Sequence, residues 1–392
     1  MPEKIKLNLF TNYTGDAQYS MLSYAAQLEK SLKSYFTDKC QTAILTPKET
    51  AFGKIIKQNF IGKKLDSYWC RFISHPAIAR KVCCGINHIT DHNNSYLIRY
   101  LDSSRTVVTC HDLVYFRMPD KKVNDKFFSP RHAIRKYTVS GLKKAARIIA
   151  DSENTKRDII ELLGVPYAKI AVIPPGIRPC FNKIEDAYVL NKERKRLGFD
   201  WNKTVLHVGT NSYYKNVDAV IHALKILHER AGKDIHFVKV GKDFSPKQKD
   251  FIIKSGIEGH VHYMGNLNDN DLNLVYNLSD ILVFPSLYEG FGWPPLEAMA
   301  CGMPVVCSSR GSLGEVVGNS ATLIEPCDYK GIAEAIMTLM SDPNIRQSKI
   351  EQGFNNIKRF DWKKMAEEVL AIYQEIERAS PGEKHGIRKI LK

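Results

Sequence analysis

The chain predicts two doubly wound, parallel α/β domains joined by a linker. Three observations carry this. Short β-branched runs alternate with helix-period apolar runs, the alternation breaks once and then restarts, and the strand-like runs end close to Gly or Ser. A length of 392 residues also exceeds what one hydrophobic core usually organises.

Taken in order, "KIKLNLF" reads as the first strand, followed by a turn at Gly15 and Asp16 and a helix over "YSMLSYAAQLEKSL". "RTVVTCHDL" and "AKIAVIPPGI" are further strands, and "SENTKRDIIELLG" is a helix with Ser152 or Asn154 as its N-cap. "PPGIRPCFNKIEDAYVLNKERKRLGF" lacks a sustained apolar run and reads as the linker. The pattern then resumes: "KTVLHVG", "NVDAVIHALKILHERAG", "DIHFVKVG", "SPKQKDFIIKSG", "HVHYMG", "DNDLNLVYNLSD" and "ILVFPS". "DWKKMAEEVLAIYQEIERA" is an amphipathic helix before a basic tail. The expected divisions are 1–180, a linker at 181–200, 201–360, and 361–392 for the helix and tail.

Composition excludes some classes. The chain is 44% apolar and 25% charged, and no run reaches the length of a membrane-spanning helix. "MPEKIKLNLF" lacks the layout of a signal peptide, so a cytoplasmic protein is expected. The nine cysteines, with Cys83 and Cys84 adjacent and Cys301 and Cys307 separated by five residues, form no CxxC pattern and read as reduced structural thiols. Residues 1–180 hold 29 Lys and Arg against 15 Asp and Glu, a net of +14, whereas residues 181–392 hold 28 against 27. Such a one-sided field suits an anionic membrane surface, a polyanion or a phosphorylated substrate, or simply keeps a solvated face soluble.

The stretch "ILVFPSLYEGFGWPPLEAMACGMPVVCSS" concentrates the chemistry. It reads as a buried strand, a glycine turn "LYEGFGW", and a short helix begun by Pro294 and Pro295 and ended by Gly302. Glu289 falls in the loop before the helix and Glu297 within its first turns. The N–H groups of Phe291, Gly292 and Trp293 are left to face an anion. Free N–H donors beside two carboxylates suit a ligand bearing phosphate and vicinal hydroxyls, as a nucleotide sugar does. The alternatives are two acids that merely complement the helix dipole, or an acid–base pair of a glycosidase.

"PSLYEGFGWPPLEAMACGMPVV" resembles the E-x7-E signature of retaining GT-B glycosyltransferases, especially glycosyltransferase family four, and looks mannosyltransferase-like in its "VGT…KN" segment. The likeness continues through "HVGTNSYYKNVDAVIHAL", "VHYMGNLNDNDLNLVYNLSDILVFPS" and "SLGEVVGNSATLIEP", covering nearly all of residues 201–340; in the first half it rests on "VVTCHDL", "IIADSENTKRDI" and "VIPPGI". The resemblance implies two Rossmann-like domains facing a cleft, with the C-terminal helix crossing back to the first. It places Glu289 on the donor sugar's hydroxyls near the reacting carbon and Glu297 on the ribose diol. The backbone of Gly290, Phe291, Gly292 and Trp293 would meet sugar and diphosphate, as would Gly209, Thr210 and Asn216. Lys215 would stabilise the departing diphosphate, and His111 would hydrogen-bond the donor sugar and help position the acceptor. Gly15 would lie near the phosphates.

Several positions depart from the family pattern or stay ambiguous. Many relatives have arginine where Thr210 stands, so Arg310 or a base from the first domain is a candidate substitute. Relatives often pair two glycines where only Gly15 remains, beside Asp16. Glu315 reads equally as a helix cap or a ligand contact. His88 and His92 read as polar loop histidines, and Asp269 as an N-cap rather than part of a metal-binding DxD.

The implied activity is metal-independent transfer of a sugar, mannose from GDP-mannose first and a UDP-sugar next, with retention at the anomeric carbon. The acceptor would be a glycan or lipid-linked glycan. No cofactor and no nucleic-acid partner are expected, and peripheral contact with the inner face of an anionic membrane is. The competing readings are a nucleotide-sugar epimerase of the same fold and a basic nucleic-acid or membrane adaptor on a non-catalytic scaffold.

Overall fold

Two parallel six-stranded sheets organise the chain. The computed structural model describes residues 3–16, 18–48, 60–118, 130–199, 201–231 and 234–379. The first sheet contains β1 (Ile5–Phe10), β2 (Cys40–Leu45), β3 (Ile86–Ile89), β4 (Thr106–Cys110), β5 (Arg147–Ala150) and β6 (Ile170–Val172), in the order β2-β1-β3-β4-β5-β6. The second contains β7 (Thr204–Gly209), β8 (His236–Gly241), β9 (Val261–Tyr263), β10 (Ile281–Phe284), β11 (Val305–Ser308) and β12 (Thr322–Ile324), in the order β12-β11-β10-β7-β8-β9. Central strands such as "TVVTC" and "ILVF" are buried at every residue because helices cover both faces, which is why they read as continuous runs rather than alternations. This is the two-domain, doubly wound architecture the sequence predicts.

Local rules fix the helices that matter for the cleft. Ser152 caps the helix Glu153–Leu163 by accepting from the Thr155 N–H at 3.0 Å, and Gly164 ends it at a φ of 62°. The helix Trp293–Ala300 opens with prolines at its first positions and is preceded by Gly292 at a φ of 104°. A side chain there would meet Leu313 at 2.6 Å in addition to the backbone strain.

The helix Trp362–Ala379 does cross back. Trp362, Met365, Val369, Tyr373 and Ile376 follow helical spacing and are buried against Leu7, Tyr24, Ile86 and Val107 of the first domain. Burial of each such side chain contributes about 1.5–3 kcal/mol before ordering costs. Just before it, the two chain crossings touch. The Ile177 N–H donates to the Phe360 carbonyl at 3.1 Å, and a Cβ on Gly176 would press the Trp362 ring at 2.6 Å.

Three expectations need correction. The segment read as linker carries the helix Ala187–Leu197, capped by Asp186 and packed on the helix Asp269–Leu278. It has no buried residue, so no apolar periodicity announced it. The cap of Asp269–Leu278 is Asn268, which accepts from the Asp271 N–H at 3.0 Å; Asp269 is the first helical residue and pairs with Arg178. His88 is not in a loop but in β3, fully buried and bonded to Tyr373 and, at 2.8 Å, to Thr109. The basic tail lies outside the described residues, apart from the helix's own end.

Candidate active site

Loops at the strand ends that carry several of the singled-out residues meet where the two domains touch. Gly290 is wedged against the first domain: its carbonyl accepts from Ser152 Oγ at 2.7 Å and Thr155 Oγ1 at 3.1 Å. A Cβ on Gly290 would lie 2.2 Å from the His111 carbonyl oxygen, so only glycine permits this approach. Asn154 Nδ2 donates to the Tyr288 hydroxyl at 2.7 Å, and Tyr288 in turn bonds Asp158. Glu315 settles on the capping reading. Its carboxylate accepts from the N–H groups of Glu153 at 3.2 Å and Asn154 at 3.0 Å, closing the end of a helix in the opposite domain.

Glu289 is buried, and both its oxygens accept from Lys215 Nζ, at 2.7 and 3.0 Å. Lys215 ends a tight turn, Tyr213–Lys215, beyond β7. The turn is held because Asn216 takes a left-handed φ of 53° and donates to the carbonyls of Pro285 at 3.1 Å and Pro326 at 2.7 Å. Asn216 therefore ties three loops at the carboxyl edge of the second sheet. Gly209 closes β7 so tightly beside β8 that a side chain on Gly241 would meet its carbonyl at 2.2 Å.

Glu297 forms a second centre. It is buried, accepts from Arg178 Nη2 at 2.8 Å and from the Tyr276 hydroxyl at 2.9 Å, and burial raises its pKa. Between the two acids, no acceptor among the described residues takes the backbone N–H groups of Gly290, Phe291, Gly292 or Trp293. The Phe291 side chain itself is core, edge-on to Phe360.

His111 is placed differently from the expected donor contact. Both ring nitrogens are already engaged, Nδ1 with Asp151 at 2.7 Å and Nε2 with the Thr90 carbonyl at 2.8 Å. Two acceptors demand two N–H donors, so the ring is an imidazolium. Burial opposes that charge, but Asp151 and then Asp91 outweigh it and the pKa rises to about 9.

The cations are not all where the sequence suggested. Arg310 turns outward to an exposed pair with Glu325, and Thr210 is exposed, sharing a hydrogen bond with Ser212. Gly15 lies in a short turn beyond β1 with Tyr13 folded over it, and Asp16 pairs with Arg71 at 3.0 Å. Two bases that sequence reading missed stand closer. Arg178 holds Glu297 from the crossing segment, where nothing in "PPGIRP" marked it. Lys239 is fully buried under the β7 turn, its ammonium donating to the carbonyls of Gly209 at 2.6 Å and Val240 at 2.9 Å. Burial and the neighbouring Lys215 lower its pKa to about 8. A charge inside the apolar run "HFVKVG" was the available signal.

Two six-stranded parallel sheets with helices on both faces and carboxyl ends in contact match the two-domain GT-B fold of solved glycosyltransferases. Residues 190–356 match the family model described as glycosyl transferases group 1, and residues 85–179 match that of glycosyltransferase family 4. O-antigen chain mannosyltransferase B of Escherichia coli is 28% identical over 72% of this chain and 72% of its own. Sucrose-phosphate synthase of Thermosynechococcus elongatus superposes with a TM-score of 0.72 at 18% identity, covering 96% of this chain and 100% of that one. HepE of Anabaena, solved with UDP and glucose, gives 0.69 at 20% identity over 95% of this chain and 100% of its own. The chain belongs to the family-four, group 1 glycosyltransferases.

Proposed function

We propose that this glycosyltransferase moves a hexose from a nucleotide sugar to a hydroxyl of a glycan or lipid-linked glycan with retention, GDP-mannose being the leading donor and a UDP-sugar the next. The carrying observation is the Lys215–Glu289 pair beside the N–H groups of 290–293, which no acceptor among the described residues takes. It offers a cation for the leaving diphosphate, donors for its oxygens and a carboxylate for the sugar in one place. The mannosyltransferase relative supports mannose, and the UDP-bound neighbour supports a nucleoside diphosphate sugar as donor.

In this reading Glu297 binds the ribose diol, with Arg178 and Tyr276 fixing its orientation. Lys215 neutralises the departing diphosphate, so no metal is required. Lys239, behind Gly209, adds positive potential in place of the arginine absent at Thr210. The leaving diphosphate and the incoming hydroxyl share the cleft, so departure and attack on one face account for retention without a protein nucleophile. The experiment is calorimetry of GDP and UDP without metal, on wild type and Glu297→Ala. The variant is expected to bind about tenfold or more weakly, the loss of a charge-assisted pair of hydrogen bonds. Unchanged affinity for both nucleotides would remove Glu297 from the site.

The acceptor reading places the first domain at an anionic membrane face. Besides its net charge of +14, the helix Phe60–Trp69 and its continuation expose Leu65, Tyr68, Trp69 and Ile73, a single apolar face at helical spacing. No helix among the described residues is long and apolar enough to cross a membrane. Flotation with liposomes is expected to recover the protein with phosphatidylglycerol vesicles and not with phosphatidylcholine ones. Recovery indifferent to lipid charge would defeat this part.

A further inference from the structure

Four of the chain's twelve histidines, His228, His236, His260 and His262, gather at the amino ends of β8 and β9, the opposite edge of the second sheet from Gly209 and Gly241. Asp234 reaches into this group. Its Oδ1 lies 3.0 Å from His236 Nε2 and 3.4 Å from His260 Nε2, and the candidate ligand atoms of all three residues lie within 4.8 Å of one another. Ligand bonds of about 2.0–2.1 Å in a tetrahedral site set ligand atoms roughly 3.3 Å apart, close to the two Asp234–histidine distances.

The outer partners are in place too. His236 Nδ1 is 2.9 Å from His262 Nε2, and the His262 ring is stacked on Trp201 with centroids 3.7 Å apart. That contact fixes which His236 nitrogen faces Asp234, the role that second partners play around metal-bound histidines. His260 is held edge-on by His228 at 4.1 Å, and its Nδ1 is buried with no hydrogen-bond partner.

We propose that Asp234, His236 and His260 bind a divalent transition metal of the zinc class, with water completing a four-coordinate sphere, and that this ion is structural. It would tie the loop before β8, the first residue of β8 and the turn before β9 at a single point. β9 is a three-residue strand at one edge of this sheet, held by three register pairs to β8. The length of β8 separates the ion from Gly241 by roughly 17 Å, so it takes no part in sugar transfer.

The test uses the untagged full chain, stripped with EDTA and titrated with zinc chloride, read by calorimetry and thermal unfolding. One equivalent is expected to bind, and Tm is expected to rise by roughly 5 °C at about a hundredfold excess over Kd. Magnesium is expected to do neither, since imidazole disfavours hard cations. Asp234→Ala, which alters an exposed side chain and leaves the core untouched, and His260→Gln each remove the effect, while Asp234→Ala keeps wild-type transfer rates. No saturable zinc binding overturns the proposal. So does binding that persists with its Tm rise in both variants, which would locate the ion elsewhere, for example at the exposed Cys83 and Cys84.

Discussion

Lys215→Ala is expected to lower kcat by about 10²–10³-fold under donor saturation, the range seen when one fixed charge-stabilising donor is lost from a transition state. In this structure the ammonium sits on both oxygens of Glu289, with the Phe284 ring 5.0 Å away. It is largely withdrawn from water, so its field on a nearby diphosphate is weakly screened. Removing it also strands Glu289, a buried carboxylate with no other cation bonded to it among the described residues. The stability loss should therefore approach, without reaching, the about 3–5 kcal/mol of a fully buried broken pair. Thermal unfolding separates the two effects, because a folded but slow variant isolates the chemical role. Lys215→Arg restores charge but not the compact geometry and is expected to recover only part of the rate. A near-normal rate for the alanine variant would take Lys215 out of the reaction.

Glu289→Gln is expected to fall by a similar factor in kcat while donor affinity changes less than about tenfold. The amide keeps the shape and hydrogen-bonding reach of the side chain but loses the charge that would stabilise a positive anomeric centre. Ser312 bonds the Glu289 carbonyl, and Gly311 packs so closely that a Cβ would meet the Glu289 backbone at 2.5 Å. The loop is thus held by contacts the substitution leaves alone. Steady-state kinetics beside calorimetry of the donor decides the matter: equal losses in turnover and binding would make Glu289 an anchor for the ground state only.

Much of the fold was legible because buried parallel strands and their flanking helices leave strong periodic signals. "ILVFPS" and "TVVTC" could hardly be anything else once glycine and polar residues bounded them. The helix Ala187–Leu197 was lost because it is only half-buried, through Leu190 and Leu197, and shows no sustained apolar stripe. At the site, local chemistry spoke for itself: Glu289, Glu297 and the glycines between them lie within one short stretch. What could not be read were partners far apart in the chain. Arg178 meets Glu297 across 119 positions and Glu315 caps a helix 161 positions away, and neither pairing leaves a mark on its own neighbourhood. His111 shows the same limit. Its place after β4 was evident, but the engagement of both nitrogens depends on Asp151 and Thr90, which only the folded sheet brings near.

The return of Trp362–Ala379 to the first sheet has a consequence for synthesis. That sheet's apolar flank around Leu7, Tyr24 and Val107 stays bare on the ribosome until the whole second domain has been translated. The amino-terminal half is thus a late finisher despite emerging first, and a fragment ending near residue 180 should be expected to aggregate rather than stand alone.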